Sequence, residues 1–416
     1  MADIDRSRGS TGLTVVSTFA GCGGSCLGYE MAGYRVLWAN EFLPIAQESY
    51  AANHTHTVLD RRDIRRVEPS QILDAIGLKP GELDVLNGSP PCQAFSTVGQ
   101  RDKGWGKLRK YDNGVQQKNE NLFFEYVRLL KGLRPRAFVA ENVAGLTRGF
   151  ALGYFKEIMR ALDGAGYAVG CKVLDAQWLG VPQTRQRAIF IGVRKDLGLA
   201  PEFPKPLPYR YTLRDVMPGL LKVTQLSSGQ WTPHEQLLEK PCPCIISAPS
   251  EADKFRIIDR VVHDTGTPSY SLGDVTLRPC PAIVAQGTRE LHVHERDISL
   301  SPELQRQWAD RTLRQSRQFG DSQRLICPAP GEPAPAILTN AAMFAHPMEP
   351  RRFTIDECKI VCSFPADYVL IGSYHKQWAR LGNAVPPMMM RAIAGTLRDG
   401  VFAQLGRTRA GFVEAR

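Results

Sequence analysis

The residue best suited to covalent chemistry lies in the stretch Asp84-Val-Leu-Asn-Gly-Ser-Pro-Pro-Cys92-Gln-Ala-Phe-Ser96. It reads as an apolar strand that stops at two prolines and then presents a thiol in a polar loop. Pro90 and Pro91 fix their own φ angles and push the residue before each toward extended geometry. The backbone leading to Cys92 is therefore stiff before any ligand arrives. Stiffness suits a nucleophile, but a lone cysteine beside a turn also suits a buried structural role. The choice rests on what else the chain carries.

Three further groups of residues have chemical potential. Ala20-Gly-Cys-Gly-Gly-Ser25 follows the β-branched run Leu13 to Phe19 and precedes helix-forming residues from Leu27. Gly21, Gly23 and Gly24 let a backbone approach a ligand closely and aim amides at it, as nucleotide-type sites require. Glu41 ends the next strand, Tyr34 to Asn40, about 20 residues past the glycines, where a ribose-binding carboxylate belongs in a dinucleotide-type fold. Asp63 and Glu141 stand at two more expected strand ends, after Thr57 to Leu59 and Arg136 to Ala140. Ligands bind outside the carboxyl ends of strands in open α/β sheets. Finally, Pro182-Gln-Thr-Arg185-Gln-Arg187 holds two permanently charged guanidinium groups suited to phosphate or to a polar base. They are expected to face opposite ways, one into the crevice and one to solvent or structure.

The elements that must position these residues alternate strand and helix as far as about residue 195. Helices are expected at about Leu43 to Asn53, Leu122 to Leu133 and Phe150 to Gly164. Strands are expected at Tyr167 to Leu174 and Arg187 to Val193. This is the α/β, doubly wound pattern. From about Asp196 prolines crowd together, helical periodicity fades, and short β-like pieces alternate with turns until about Pro350. The P-x-P-x-I patterns at Pro241, Pro279 and Pro333 are expected to start edge strands rather than to mark a solenoid. Thr354 and Glu357 are spaced as a capping box. The segment Trp378 to Pro387 is expected to open a closing helix whose methionines fill core space. Between Gln100 and Gly114, Trp105 and Tyr111 interleave with charged residues in a loop long enough to be functional, with Arg and Lys side chains that could reach phosphates.

Bulk composition narrows the class. The length of 416 residues suggests about two or three domains. With 43% hydrophobic and 23% charged residues a sizeable core is available. No segment reaches the ~18 uninterrupted apolar residues of a membrane span, and the first residues lack the apolar core of a secretion signal, so a cytoplasmic protein is expected. Lys and Arg exceed Asp and Glu by 52 to 42, a net charge of +10, which fits a polyanionic partner as well as a basic solvated surface. Ten cysteines without a dense framework point to reduced thiols. Cys242-Pro-Cys244 has His234, His263, His292 and His294 in its neighbourhood but no second cysteine pair, so no metal site is expected.

Taken in order, Phe19-Ala-Gly-Cys-Gly-Gly, Pro91-Cys92-Gln93, Glu141-Asn142-Val143, Gln183-Thr-Arg185-Gln-Arg187 and Gly382-Asn383 make the chain resemble the cytosine-5 DNA methyltransferases over nearly its full length. The resemblance implies a Rossmann-like catalytic domain, 1–195 plus 366–416, and a smaller, mostly β or irregular target-recognition domain with hinge, 196–365. It implies S-adenosylmethionine as cofactor, with S-adenosylhomocysteine as product. Phe19 would stack near the adenine, Glu41 would bind the ribose hydroxyls and Asp63 the adenine amino group. Gly21, Gly23, Phe42, Ile64, Pro91, Leu122, Asn383 and Val385 would complete the pocket. Ser17 stands where the family often has Asp, and Phe42 where a bulkier aromatic is sometimes found.

In the chemistry that the resemblance implies, Cys92 attacks carbon 6 of cytosine, because carbon 5 is too poor a nucleophile unless electrons are pushed onto it. A protonated Glu141 would hydrogen-bond ring nitrogen 3. Arg185 would hold the base's carbonyl oxygen or the nucleophile, with Arg187 as its partner. The target base must leave the stack, and the 93–114 loop is the expected lid. Double-stranded DNA is the expected partner of a monomeric, nucleoid-associated enzyme, together with a cognate restriction endonuclease or defence-system proteins. Two other readings stay open: cytosine-5 methylation of RNA, and a catalytically inactive DNA-binding regulator.

Overall fold

The computed structural model describes residues 11–91, 109–110, 116–117, 122–217, 257–262, 268–273, 300–309, 325–339 and 344–406. Several sequence expectations lie outside the described residues: Cys92, most of the 93–114 loop, Cys242, Cys244, His234, His263, His292, His294 and the first two P-x-P-x-I patterns. The chain divides into two compact units. One draws on Arg6–Asp175, Gln186–Lys205 and Met389–Arg416, the other on Ala176–Arg185 and Pro206–Met388.

The first unit is built on a seven-stranded sheet: β1 Thr14–Thr18, β2 Arg35–Asn40, β3 Val58–Asp60, β4 Val85–Gly88, β5 Ala137–Val143, β6 Tyr167–Asp175 and β7 Gln186–Arg194. Their spatial order is β3-β2-β1-β4-β5-β7-β6. The first five run parallel, and β7 is antiparallel to both β5 and β6. Strands buried on both faces need near-continuous apolar runs, which Val15, Val16, Val85, Leu86 and Phe138 to Ala140 supply. From β1 the chain winds outward to β3, then returns to place β4 on the other flank of β1. This reversal makes the carboxyl ends of β1 and β4 the topological switch point, where an open sheet leaves a crevice.

Helices α1 Gly24–Met31, α2 Pro44–Asn53, α3 Pro69–Ile76, α4 Leu122–Leu133 and α5 Leu152–Gly164 connect the strands. The apolar face of α4 places Leu122, Phe123, Tyr126, Leu129, Leu130 and Leu133 in the core, the spacing of a stripe that must face a sheet. The Tyr126 hydroxyl donates to the carbonyls of Leu86 and Val139, 3.0 and 3.1 Å away, so α4 is pinned across β4 and β5. Gly88, the last residue of β4, is tightly enclosed. A Cβ there would lie 2.5 Å from Thr18 Oγ1 and 2.7 Å from the Tyr126 ring. Gly88→Ala is accordingly expected to destabilise the protein by about 1–3 kcal/mol through overpacking, read as a lower midpoint of thermal unfolding. An unshifted midpoint would show that Tyr126 can move aside.

The chain end also belongs to this core. Met389, Met390, Ile393, Leu397 and Val401 are buried, the Tyr34 hydroxyl donates to the Ala394 carbonyl at 2.9 Å, and Arg398 Nη1 donates to Ala32 O at 2.9 Å. The methionines therefore do fill core space. The closing region is two helices rather than one opening near Trp378, because Ala384 turns extended and Pro387 starts afresh. Trp378 lies inside the earlier helix, Tyr374–Asn383.

In the second unit the described residues form short pieces. Gln183–Thr184 pairs in parallel with Ala334–Pro335, the third P-x-P-x-I pattern, as a two-residue ladder. Ile257–Val262 and Pro268–Gly273 make an antiparallel pair. The capping box at Thr354 and Glu357 is formed, and Arg351 holds Glu357 with two donors, each at 2.8 Å. Burial drives the His346 imidazole, 3.5 Å from the Glu357 carboxylate, below its ordinary range despite that carboxylate's pull upward. Among the described residues no helix is long and apolar enough to cross a membrane.

Candidate active site

The first unit gathers most of the chemistry-bearing residues along the carboxyl ends of its parallel strands. After β1 the backbone turns at Phe19 with φ of +53°, a left-handed conformation that costs a bulky residue roughly 1–3 kcal/mol. Its surroundings hold it there. Ala20 N donates to Asn40 O at the end of β2, 2.9 Å away. The Ser89 hydroxyl, just past β4, donates to Phe19 O at 3.0 Å. Gly21 at φ +59° and Gly23 at +98° complete the turn into α1. A Cβ at Gly21 would meet nothing within 4 Å, so the loop borders open space.

Glu41 closes this loop from β2. Its Oε2 accepts from Gly21 N and its Oε1 from Leu43 N, both at 2.7 Å, and its backbone carbonyl accepts from Gln47 Nε2 at 2.7 Å. The carboxylate is thereby fixed between two backbone amides. At the end of β3, Asp63 caps the short turn Ile64–Arg66, accepting from Arg65 N at 3.1 Å and lying 3.2 Å from Arg65 Nη1. Burial pushes the nearby Asp60 carboxyl up, but hydrogen bonds from Arg62 outweigh it and hold it below its ordinary range. Phe42 and Pro91 are half-buried, whereas Ile64 and Leu122 are core residues, 2% and 1% exposed. Leu122 is thus packed among apolar neighbours.

Past β4, the Pro90 carbonyl accepts from Asn142 Nδ2 of β5 at 3.2 Å, and Asn142 Oδ1 is oriented by Val143 N at 2.8 Å. The residue before Asn142 is Glu141, and Arg187 Nε lies 2.7 Å from its Oε1. The register accounts for this pair. Glu141 faces Ile189 and Val143 faces Arg187 across the antiparallel ladder, so Glu141 and Arg187 share a face as diagonal neighbours within reach of long side chains. The contact is one of charge, because the Nε–H does not point well enough at the oxygen to make a hydrogen bond. Arg187 Nη1 donates instead to Gln186 O at 2.8 Å.

Arg185 has a different environment. It lies between the Gln183–Thr184 ladder and β7, in the second unit, and is 2% exposed. Its Nη1 and Nη2 donate to Ile337 O at 3.3 Å and Gly382 O at 2.9 Å. The expectation that strand alternation separates the two arginines needs correcting: residues two apart on one strand share a face. They part because the strand does not begin until Gln186, and residues 176–185 belong to the other unit. Asn383, exposed, and Val385, buried, also belong to that unit.

The sequence reading gave no role to Ser89, Asn40, Gln47 or the side chain of Asn142, all of which hold backbone at the rim. Their signal is slight, a small polar residue at a strand end. Burial also disqualifies several rival thiols. Cys26 and Cys171 are pushed up to about 12 and Cys362 to about 11, in each case chiefly by desolvation, and Cys358 is raised as well. A thiol held in that range makes a poor thiolate nucleophile.

Comparison with known proteins bears on the whole chain. The sequence profile for C-5 cytosine-specific DNA methylase matches residues 13–399. The chain is 28% identical to the Type II methyltransferase M.DdeI of Desulfomicrobium norvegicum, covering 92% of this chain and 88% of that protein. It is 27% identical to M.AgeI of Thalassovita gelatinovora, covering 94% and 100%. Identity reaches 35% with M.NgoPII of Neisseria gonorrhoeae, over 49% of this chain and 56% of that one. Among solved structures, a prophage-encoded protein of E. coli described as a DNA modification methyltransferase superposes with a TM-score of 0.60 at 21% identity, covering 93% and 99%. The S. pombe Dnmt2 methyltransferase gives 0.53 at 14%, covering 94% and 99%. These likenesses establish the Rossmann-like methyltransferase fold. The chain belongs to the C-5 cytosine-specific DNA methylase family, a family of DNA (cytosine-5-)-methyltransferases.

Proposed function

We propose that the chain transfers a methyl group from S-adenosylmethionine to carbon 5 of a flipped-out cytosine in duplex DNA, through a transient bond between Cys92 and carbon 6. The observation that carries this reading is the contact between Glu141 and Arg187 on the same rim where Asn142 clamps Pro90, two residues before the thiol.

The rim suits the cofactor. Open space at Gly21, a carboxylate fixed beside it and a half-buried Phe19 ring match a nucleoside with a ribose diol and an adenine face. Phe19, Gly21, Gly23, Glu41, Phe42, Asp63, Ile64 and Pro91 would hold it. Leu122 would support the pocket from the core. When bound, S-adenosylmethionine supplies an electrophilic methyl group.

The chain's own residues do the rest. Cys92, as thiolate, adds to carbon 6 and pushes electrons onto carbon 5. A free thiol titrates near ~8.5, so its activation calls for nearby positive charge or polar contact. Glu141, carrying a proton in the complex, donates to ring nitrogen 3 and stabilises the charge that forms. Arg187, beside it, holds the base's carbonyl oxygen. That assignment moves the base-facing role from Arg185 to Arg187, because the two Arg185 donors described above serve backbone carbonyls of the second unit. After methylation the carbon 5 proton leaves and Cys92 is eliminated.

Such chemistry needs the base out of the stack, and the net charge of +10 suits a DNA partner. The relatives' designation as Type II methyltransferases supports a role beside a cognate restriction endonuclease. Bisulfite sequencing of DNA from cells expressing the chain tests the reading. Protected cytosines at one short sequence are expected. Label passing from S-adenosylmethionine to transfer RNA but not to duplex DNA would overturn the substrate.

A further inference from the structure

The rim is braced sideways as well as along its strands. The Phe19–Ala20 peptide is held from both flanks, by Asn40 O from β2 and by the Ser89 hydroxyl from the exit of β4. The segment Ser89-Pro90-Pro91 leaves β4 where Gly88 is paired with Thr18 and Ala140, and Pro90 is buried. Its two prolines have no N–H to place in a ladder and their φ angles are set. Its side-chain anchors among the described residues are Ser89 Oγ to Phe19 O at 3.0 Å and Asn142 Nδ2 to Pro90 O at 3.2 Å. A change in the Phe19 peptide therefore reaches the proline segment by the Ser89 hydroxyl as well as by the β1–β4 ladder, and from Pro90 reaches β5 beside Glu141 by the Asn142 amide. Phe19 is held in a left-handed backbone conformation that persists only while its neighbours hold it.

We propose that Ser89 is a positioning residue that couples the glycine loop to the proline segment before Cys92, so that filling the loop with cofactor changes how the thiol is presented, with Asn142 as the second link. The inference rests on the cofactor reading above, since it requires that the loop be filled. A two-site coupling of this kind is a difference in free energy between states and is read as a ratio of rates or affinities.

The test uses the full chain with S-adenosylhomocysteine as probe. Calorimetry gives its affinity, and alkylation by iodoacetamide, followed on the Cys92 peptide by mass spectrometry, gives the thiol's reactivity with and without saturating probe. In the wild type the probe is expected to change the Cys92 rate by about 5-fold or more, the lower end of allosteric couplings. In Ser89→Ala and in Asn142→Ala the probe still binds but leaves that rate within about 2-fold, and Ser89→Thr, which keeps the hydroxyl, restores the response. A wild-type response in both Ala variants would overturn the coupling, as would a wild type that binds the probe with no change at Cys92. Loss of binding in folded Ser89→Ala would also overturn it, since the hydroxyl would then serve the pocket. Failure of the wild type itself to bind the probe would instead remove the cofactor reading beneath it.

Discussion

Exchanging Cys92 for serine is expected to abolish methyl transfer, a loss of at least about 10³-fold, because a hydroxyl is not ionised near neutrality. The local architecture makes this a clean substitution. β4 is fully buried, Gly88 closes it against Tyr126 and Thr18, and Pro90 and Pro91 set the backbone leading to the residue, so removing one sulfur leaves the approach intact. Transfer of labelled methyl from S-adenosylmethionine to duplex DNA measures the loss, and a mobility shift at low salt should show DNA binding retained. Full activity of the serine variant would refute the nucleophile assignment. The other described thiols offer no replacement where burial raises them, as at Cys26, Cys171, Cys358 and Cys362.

For Glu141→Gln we expect ordinary binding of S-adenosylhomocysteine with turnover reduced by roughly 10²–10³-fold, the usual consequence of removing one group aimed at developing charge. Glutamine keeps the shape and can still donate a weak hydrogen bond to ring nitrogen 3, but it has no proton to give. The defect should therefore fall on kcat rather than on KM. Arg187 then loses the carboxylate 2.7 Å away, so a thermal melt must accompany the kinetics to separate chemistry from stability. A rate equal to wild type would exclude Glu141 from the mechanism and leave its pairing with Arg187 a structural ion pair.

Much of the first unit was legible in the chain because its signals are local. The β-branched run before Gly21, the carboxylate at Glu41 and the helical stripe from Leu122 to Leu133 are each decided within a few residues, and each stands where expected, as does the capping box at Thr354 in the second unit. Local signals stop where the chain passes from one unit to the other. Arg185 and Arg187 look like one motif, yet the first satisfies carbonyls at Ile337 and Gly382 while the second meets Glu141. No periodicity announces that a chain leaves one unit after Asp175 and returns at Gln186. The helix break between Asn383 and Pro387 was missed because apolar spacing continues across it, although the prolines forbid one continuous helix.

By itself the sequence determined the order of the motifs, the alternation of strand and helix, and the stiff proline approach to Cys92, since these follow from residue type and short-range geometry. The tertiary structure decided which carboxylate meets which guanidinium and what holds the rim together. Ser89 reaches Phe19 across 70 residues of chain, and Asn142 reaches Pro90 across 52. Side-chain bonds to a distant backbone carbonyl depend on sheet order and register, not on the type of the accepting residue, because every residue offers the same carbonyl.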